Sequence, residues 1–476
     1  LRPDGILSLE TATRRFLSSL DQPSRILVAI SGGSDSTGLL IALSDALKAE
    51  PASAISLCAA TVDHALRPQS ADEARDVAAL CRSLDIPHAT KVWRGAKPKA
   101  GIMAAARDAR YALLADAAAE FGADIIVTGH TLDDQRETFA MRGQRSALNM
   151  TGIADAVLFD HRIWIARPLL SSLRADIRAM LELRGIGWSD DPSNEDTRYE
   201  RVRTRQALAG EGISVAEIEA MTASRMALDE AAAGWVDAHV DVHEGMLVQV
   251  GVAGLSGDRA VLGHGLARLA AVIGGQAFAL GAEQIGAVLD FLAAGRLGRM
   301  TAGRVVFDLR RDGLYLARET RGLLPLTVGA GERGVWDGRY LAVNGSGVEV
   351  RVVAANAPHS LIPVPKDLGT LDSCDIARAK LGHRNEGGEG RGAEATLPLE
   401  NLPRSTLARA AAAQPRILAA DPSPDLAGKI EIVPYFALYD RFLTRLDVKF
   451  AASLAAAFGT RPYPKPPLGL IDGKTI

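Results

Sequence analysis

The sequence predicts an α/β protein: a doubly wound parallel sheet in the first half, then a helical linker domain and a mixed α+β C-terminal domain. Three observations carry that expectation. Short apolar runs alternate with helix-length segments as far as about residue 215, the pattern of a parallel sheet covered on both faces. The first of these runs ends in a glycine-rich turn, where open α/β sheets place their ligand loops. A chain of 476 residues also exceeds what one core usually serves, so boundaries are placed at 1–215, 216–324 and 325–476.

Taken in order, Arg25–Ile30 is an apolar run suited to a buried strand, and Ser36–Leu47 carries Leu and Ala at helical spacing. Ser56–Val62 is a second strand, and Ser70–Leu84 a second helix that opens on the capping pattern Ser70-x-x-Glu73. Pro87–Trp93 predicts a third strand, Ala104–Phe121 an Ala-rich helix, Asp124–Thr128 a fourth strand and Thr131–Arg142 a fourth helix. Beyond residue 215 the rhythm changes. Val215–Val240 reads as a long helix or helix pair, followed by helices at Asp258–Val272 and Ala282–Ala293. Strand-like stretches fall at Met246–Val250, Arg304–Leu309, Gly313–Ala317 and Gly347–Val353. The Gly-rich, charged stretch His383–Ala395 is expected to be a mobile loop, and Pro462–Pro467 an extended tail.

Composition narrows the class. A hydrophobic fraction of 47% and a charged fraction of 23% exclude wholesale disorder. No apolar run reaches the ~20 residues of a membrane span, and residues 1–20 do not read as a secretory signal. Cys58, Cys81 and Cys374 form no Cys-x-x-Cys pair, which argues for a reducing compartment and against zinc or an iron–sulfur cluster. A cytoplasmic protein without a membrane partner is therefore expected. With 54 basic and 57 acidic residues the formal charge is −3, so any RNA-binding surface has to be a patch.

The chemistry concentrates at Ser31-Gly32-Gly33-Ser34-Asp35-Ser36, between a predicted strand and a predicted helix. Gly32 and Gly33 allow positive φ and leave backbone N–H groups uncovered. Ser34, Ser36 and Thr37 add hydroxyls at the helix start, which together make an anion nest suited to phosphate or pyrophosphate. The segment lacks the Gly-Lys-Ser/Thr ending of a Walker loop and the spacing of the dinucleotide fingerprint. Asp35 stands where it can hold Mg²⁺ or face the reacting phosphate. A plain serine-capped turn is the bland alternative; two glycines, three hydroxyls and an acid at the end of the first strand favour the phosphate cradle.

His130, Asp134 and Glu137 recur at i, i+4 and i+7, one face of a helix that follows a strand. Such a face can present carboxylates to a metal and polyphosphate, although acids at a helix start also serve simply to complement its dipole. Asp63 and His64 end the second strand, where a lone His is as often structural as functional. Arg107 and Arg110 lie one turn apart on the Ala-rich helix. Arg198, Arg201, Arg203 and Arg205 form the densest basic run of the first half, readable as a solvated face or as RNA contacts. A second set, Arg296, Arg299, Arg304, Arg310 and Arg311, favours scattered solvation slightly over an RNA track. Trp336-Asp337-Gly338-Arg339-Tyr340 favours a hairpin turn packed by aromatics.

These segments together resemble a known family. The loop Ser31–Ser36 is similar to the PP-loop of N-type ATP pyrophosphatases, which fold as adenine nucleotide alpha-hydrolase-like sheets. Thr61–Arg67 with Ser70 and Glu73-Ala74 resembles the VDHxLR segment of tRNA(Ile)-lysidine synthetases, and Ala105–Tyr111 resembles their AARxxRY helix. Gly129–Thr138 is similar to their HxxDDQxET element, while Arg167–Leu170 and Asp191–Asn194 with the following arginines complete the order. The resemblance covers residues 25–205 and fades beyond 215. Two departures stand out: Val202 where the family often has Asn, and no Gly-Ser-Gly after the acidic helix.

What the resemblance implies is a ligase that uses ATP and Mg²⁺ to adenylate the wobble cytidine of an isoleucine tRNA with a CAU anticodon. Free L-lysine then displaces AMP to give lysidine. It implies catalytic roles for Asp35, Asp134, His130, Arg107, Arg110, Arg201 and Arg205, with Asp35 and Asp134 on the metal. Ser31, Gly32, Gly33, Ser34, Asp35, Ser36, Asp63 and His64 are implied in holding ATP. One of Arg107 and Arg110 is implied in holding triphosphate charge, and spacing leaves open which. A C-terminal domain that contacts the tRNA and a homodimer complete the expectations.

Overall fold

The computed structural model describes residues 5–66, 70–95, 97–98, 100–143, 152–190, 200–208, 212–357, 370–371, 402–419, 428–471 and 474–475. The chain folds as two compact units. The first contains residues 1–226 with 442–446 and 464–476; the second contains 227–441 and 447–463.

The first unit is built on a seven-stranded sheet. Its elements are α1 (Leu9–Ser19), β1 (Ser24–Ala29), α2 (Ser34–Ala49), β2 (Ile55–Asp63), α3 (Ser70–Ser83), β3 (His88–Val92), α4 (Ile102–Phe121), β4 (Ile125–Thr128), α5 (Leu132–Gly143), β5 (Ala156–Phe159), β6 (Ile163–Ala166), α6 (Arg174–Leu183) and α7 (Glu200–Leu208). The order β3-β2-β1-β4-β6 is parallel throughout. The chain winds from β1 outward to β3, then returns across β1 to β4. That reversal opens a crevice at the C-terminal ends of β1 and β4, where α/β sheets bind ligands.

All four predicted strands and four predicted helices of this half are present, with ends displaced by a few residues. Strands β5 and β6 and helices α1 and α6 went unread. β5 and β6 are four-residue runs, too short to show a period, joined by the three-residue loop Asp160-His161-Arg162 with φ 52° and 54° at its first two residues. Beyond β5, antiparallel to it, lies Phe442–Thr444, which arrives from far along the chain. Its Phe442 ring completes a cluster with Tyr111 and Phe159, at centroid separations of 5.4 and 5.2 Å. Those rings close the core formed by Leu27, Cys58, Leu114 and Ile126, all buried.

In the second unit, Val240–His243, Leu247–Val250, Gly313–Arg318, Val305–Arg310 and Gly298–Ala302 form an antiparallel sheet in that order. Helices Arg259–Gly274 and Ala282–Ala293 accompany it. Two smaller antiparallel sheets follow, and Arg333–Trp336 and Tyr340–Asn344 form the hairpin expected at Trp336–Tyr340. Of the second arginine set, Arg296 and Arg311 lie exposed, as solvation would have them, whereas Arg299, Arg304 and Arg310 pair with acids. Arg299 and Arg310 pair with buried Asp308, at 3.1 and 3.0 Å, while Arg304, Arg318 and Arg339 surround buried Asp337. The loop predicted at His383–Ala395 lies outside the described residues.

Candidate active site

The glycine loop leaves β1 and enters α2 two residues earlier than the helical spacing suggested, so Ser34, Asp35 and Ser36 form the first turn. The two glycines do different work. Gly32 sits at φ +84°, in the region glycine favours. Gly33 is the N-cap at φ −71° and ψ 157°, ordinary extended backbone, and caps α2 with no side-chain hydrogen bond. The positive φ expected for Gly33 is therefore corrected: what a glycine provides there is an uncovered helix start. The loop is braced internally. Ser31 N–H donates to Ser36 Oγ at 3.1 Å, and Ser36 Oγ donates to Gly33 O at 3.1 Å. Ser189 N–H donates to Gly32 O at 2.9 Å, tying in the segment after α6.

Across the crevice, the loop after β4 comes close enough to require glycine. A Cβ on Gly129 would stand 2.7 Å from Asp35 O and 2.8 Å from Ser36 N. His130 precedes α5 instead of sharing its face, which corrects the i, i+4, i+7 expectation: the helix starts at Leu132. Its Nδ1 meets Thr128 Oγ1 at 2.9 Å. Burial, then the charges of Arg167, Arg110, Arg201 and Arg107, push His130 well below the ordinary histidine value, so the ring is neutral at pH 7. Thr131 precedes α5, and Asp134 Oδ2 accepts from its N–H at 2.8 Å and its Oγ1 at 3.0 Å, the acid's half of a capping box.

Asp134 and Glu137 share a face one turn apart, and Glu137 is almost fully buried. Three guanidinium groups meet them. Arg201 Nη2 lies 2.6 Å from Asp134 Oδ1 and its Nε 2.6 Å from Glu137 Oε2, while Arg205 Nε lies 2.6 Å from Glu137 Oε1. Arg174, at the first turn of α6, bridges Asp35 at 2.8 Å and Asp134 at 3.2 Å. Asp35, Asp134, Glu137, Arg174, Arg201 and Arg205 therefore form one balanced network of three acids and three bases. Arg201 and Arg205 thus face protein carboxylates, and Arg203 lies exposed on another side of α7. Arg198 and Asp191–Asn194 lie outside the described residues.

A small cavity opens beside the loop, lined by Ile30, Ser31, Val62, His64, Arg110 and Leu114. Arg110 borders it; Arg107 is exposed and lies over the Tyr111 ring at 5.1 Å. His64 Nδ1 is buried without a hydrogen-bond partner among the described residues. Its pKa is lowered by burial and then by Arg110. Asp63 turns away: its Oδ1 accepts from Ala65 N–H at 2.7 Å and it does not line the cavity. Arg67 lies outside the described residues.

Arg174 escaped prediction from sequence. Its one local signal was a cation at the start of a helix, where the dipole disfavours it. Asp133 accepts from the Arg174 backbone N–H at 2.8 Å and so satisfies the first N–H of α6.

Residues 7–211 match the PP-loop domain family. The chain is 40% identical to the tRNA(Ile)-lysidine synthase of Rhizobium meliloti (strain 1021), over 97% of this chain and 97% of that one. It is 35% identical to the tRNA(Ile)-lysidine synthase of Mesorhizobium japonicum, over 96% and 97%. With that of Brucella anthropi it shares 37% identity over 68% of this chain and 75% of the relative.

Proposed function

The chain belongs to the tRNA(Ile)-lysidine synthase family, and from that premise we propose that it forms lysidine at the wobble cytidine of a CAU-anticodon isoleucine tRNA. The single observation that carries this reading is end-to-end likeness: 40% identity over 97% of both chains. ATP and free L-lysine are the co-substrates on this reading, with the reaction in the cytoplasm. Among the described residues, no helix is long and apolar enough to cross a membrane.

The reaction balances in two steps. The cytidine O2 attacks the α-phosphorus of ATP and pyrophosphate leaves. The lysine ε-amine, having given up its proton, then adds to C2 and AMP leaves. Ser31–Ser36 suits the first step, because the uncapped first turn of α2 directs N–H groups at departing negative charge. The cavity beside Ser31 and the unpartnered His64 Nδ1 suit the nucleoside end, with Arg110 beside it adding positive charge. His130, held neutral, can donate or accept one hydrogen bond without bringing another charge to the site.

The donor set also fits Mg²⁺. Asp35 and Asp134 are hard oxygen ligands from the first turns of α2 and α5, and the Arg174 guanidinium already stands between them as a cation. These two carboxylates would hold the metal, which when bound screens polyphosphate charge. A tRNA thiolase would use the same kind of loop but call for a reactive cysteine; Cys58 and Cys81 are buried, burial pushes both thiols up to about 11, and Cys374 lies outside the described residues.

The test is ATP-dependent incorporation of labelled lysine into an isoleucine tRNA transcript with a CAU anticodon. Label should enter the tRNA as AMP and pyrophosphate appear. Continued ATP cleavage without incorporated lysine would overturn the reading.

A further inference from the structure

We propose that Arg174 is a positioning residue that holds the glycine loop and α5 in register for ATP, an inference that rests on the proposed role of that loop as the ATP site.

One planar group faces acids from two elements at once. Arg174 Nε meets Asp35 Oδ2 at 2.8 Å, Nη2 meets Asp134 Oδ1 at 3.2 Å, and Nη1 lies 3.8 Å from Glu137 Oε1. Asp35 belongs to the first turn after β1, whereas Asp134 and Glu137 belong to the helix after β4. Arg174 therefore spans the crevice at which the winding of the sheet reverses.

Its own placement is fixed from both sides. The backbone N–H is held by Asp133 of α5 at 2.8 Å. On the other side α6 presses on α2, where a Cβ at Gly38 would stand 2.3 Å from Ile177 Cγ2. The guanidinium arrives between the acids on a short, braced helix, with its side chain only 18% exposed. A lysine at the same position keeps the charge but not the fork that reaches several carboxylates in fixed directions.

Without Arg174, Asp35 faces Asp134 with less opposing charge. Loss of the guanidinium then favours separation of the start of α2 from α5. That change removes the loop from the geometry in which its N–H groups and the α5 acids address one polyphosphate.

The experiment measures Mg·ATP binding to the full chain by calorimetry without tRNA. Wild type is compared with Arg174→Ala and Arg174→Lys, with thermal melts to verify folding and lysine incorporation to separate KM for ATP from kcat. Arg174→Ala should weaken ATP binding by about tenfold or more and raise KM for ATP more than it lowers kcat. Arg174→Lys should recover part of the loss. If Arg174→Ala does not fold, Arg174→Lys carries the same test with a smaller deficit. Affinity within about twofold of wild type, or a loss that falls on kcat alone, would overturn the proposal. Wild-type protein that binds no ATP would instead overturn the assignment of the loop.

Discussion

Asp35 illustrates how the residues of this site sit against their own stability. Its carboxyl is pushed above the ordinary 3.8 by burial first, and Arg174 only partly opposes that push. A raised acid holds its proton more tightly in the folded chain than in the unfolded one. Stability is therefore lost as pH rises from 3.8 through the raised value, and the charged form strains the fold at neutral pH. Asp35→Asn should keep or raise the melting temperature at pH 7 while abolishing ATP-dependent lysine incorporation. A large fall in melting temperature would mark the carboxylate as a structural anchor instead. The placement of several of these residues was legible one by one: Ser31, Asp35 and His64 lie at or just past the strand ends where sequence placed them, and Arg110 borders the cavity from α4. Asp63 was not, because an acid beside a turn reads alike whether it faces a ligand or, as here, Ala65 N–H.

Among elements, the approach of the β4 loop to the start of α2 is the tightest constraint on the site. Gly129 has no room for a side chain against the Asp35 carbonyl. Gly129→Ala should cost about 1–3 kcal/mol of stability, by the overpacking of a closed contact. It should also weaken ATP binding by separating the two loops, measurable by denaturant unfolding and calorimetry on the same preparation. Wild-type affinity in that variant would mean the loops move independently. Periodicity located α2 to α5 and β1 to β4, though not α1 or α6, from helix-length patterns and apolar runs bounded by turn residues. It missed β5, β6 and Phe442–Thr444, three- or four-residue pieces that owe their strand pairing to neighbours already in place.

For the molecule as a whole, partly buried histidines contribute to the response to acid. His64, His88 and His130 all sit below the ordinary 6.5, burial being the first cause in each. A depressed histidine binds its proton less readily folded than unfolded, so stability falls as pH drops through 6.5 toward the lowered values. Melting temperature should decline across that window. His88→Gln, able to keep a hydrogen bond to Thr61 Oγ1, should soften the decline. A melting curve flat from neutral pH to about pH 5 would contradict this. The sequence by itself determined the alternating α/β half, the glycine- and hydroxyl-rich helix start at Ser31–Ser36 and the acids of α5, because these are encoded locally in period, glycine and hydroxyl. Only the tertiary structure decided that Arg174 joins Asp35 to Asp134 and that Arg201 and Arg205 face Glu137. It alone chose Arg110 over Arg107 at the cavity and carried Phe442 into the first sheet. The physical reason is distance along the chain: Arg174 lies 139 residues from Asp35, and no local pattern records which charge a side chain will meet once the sheet has wound.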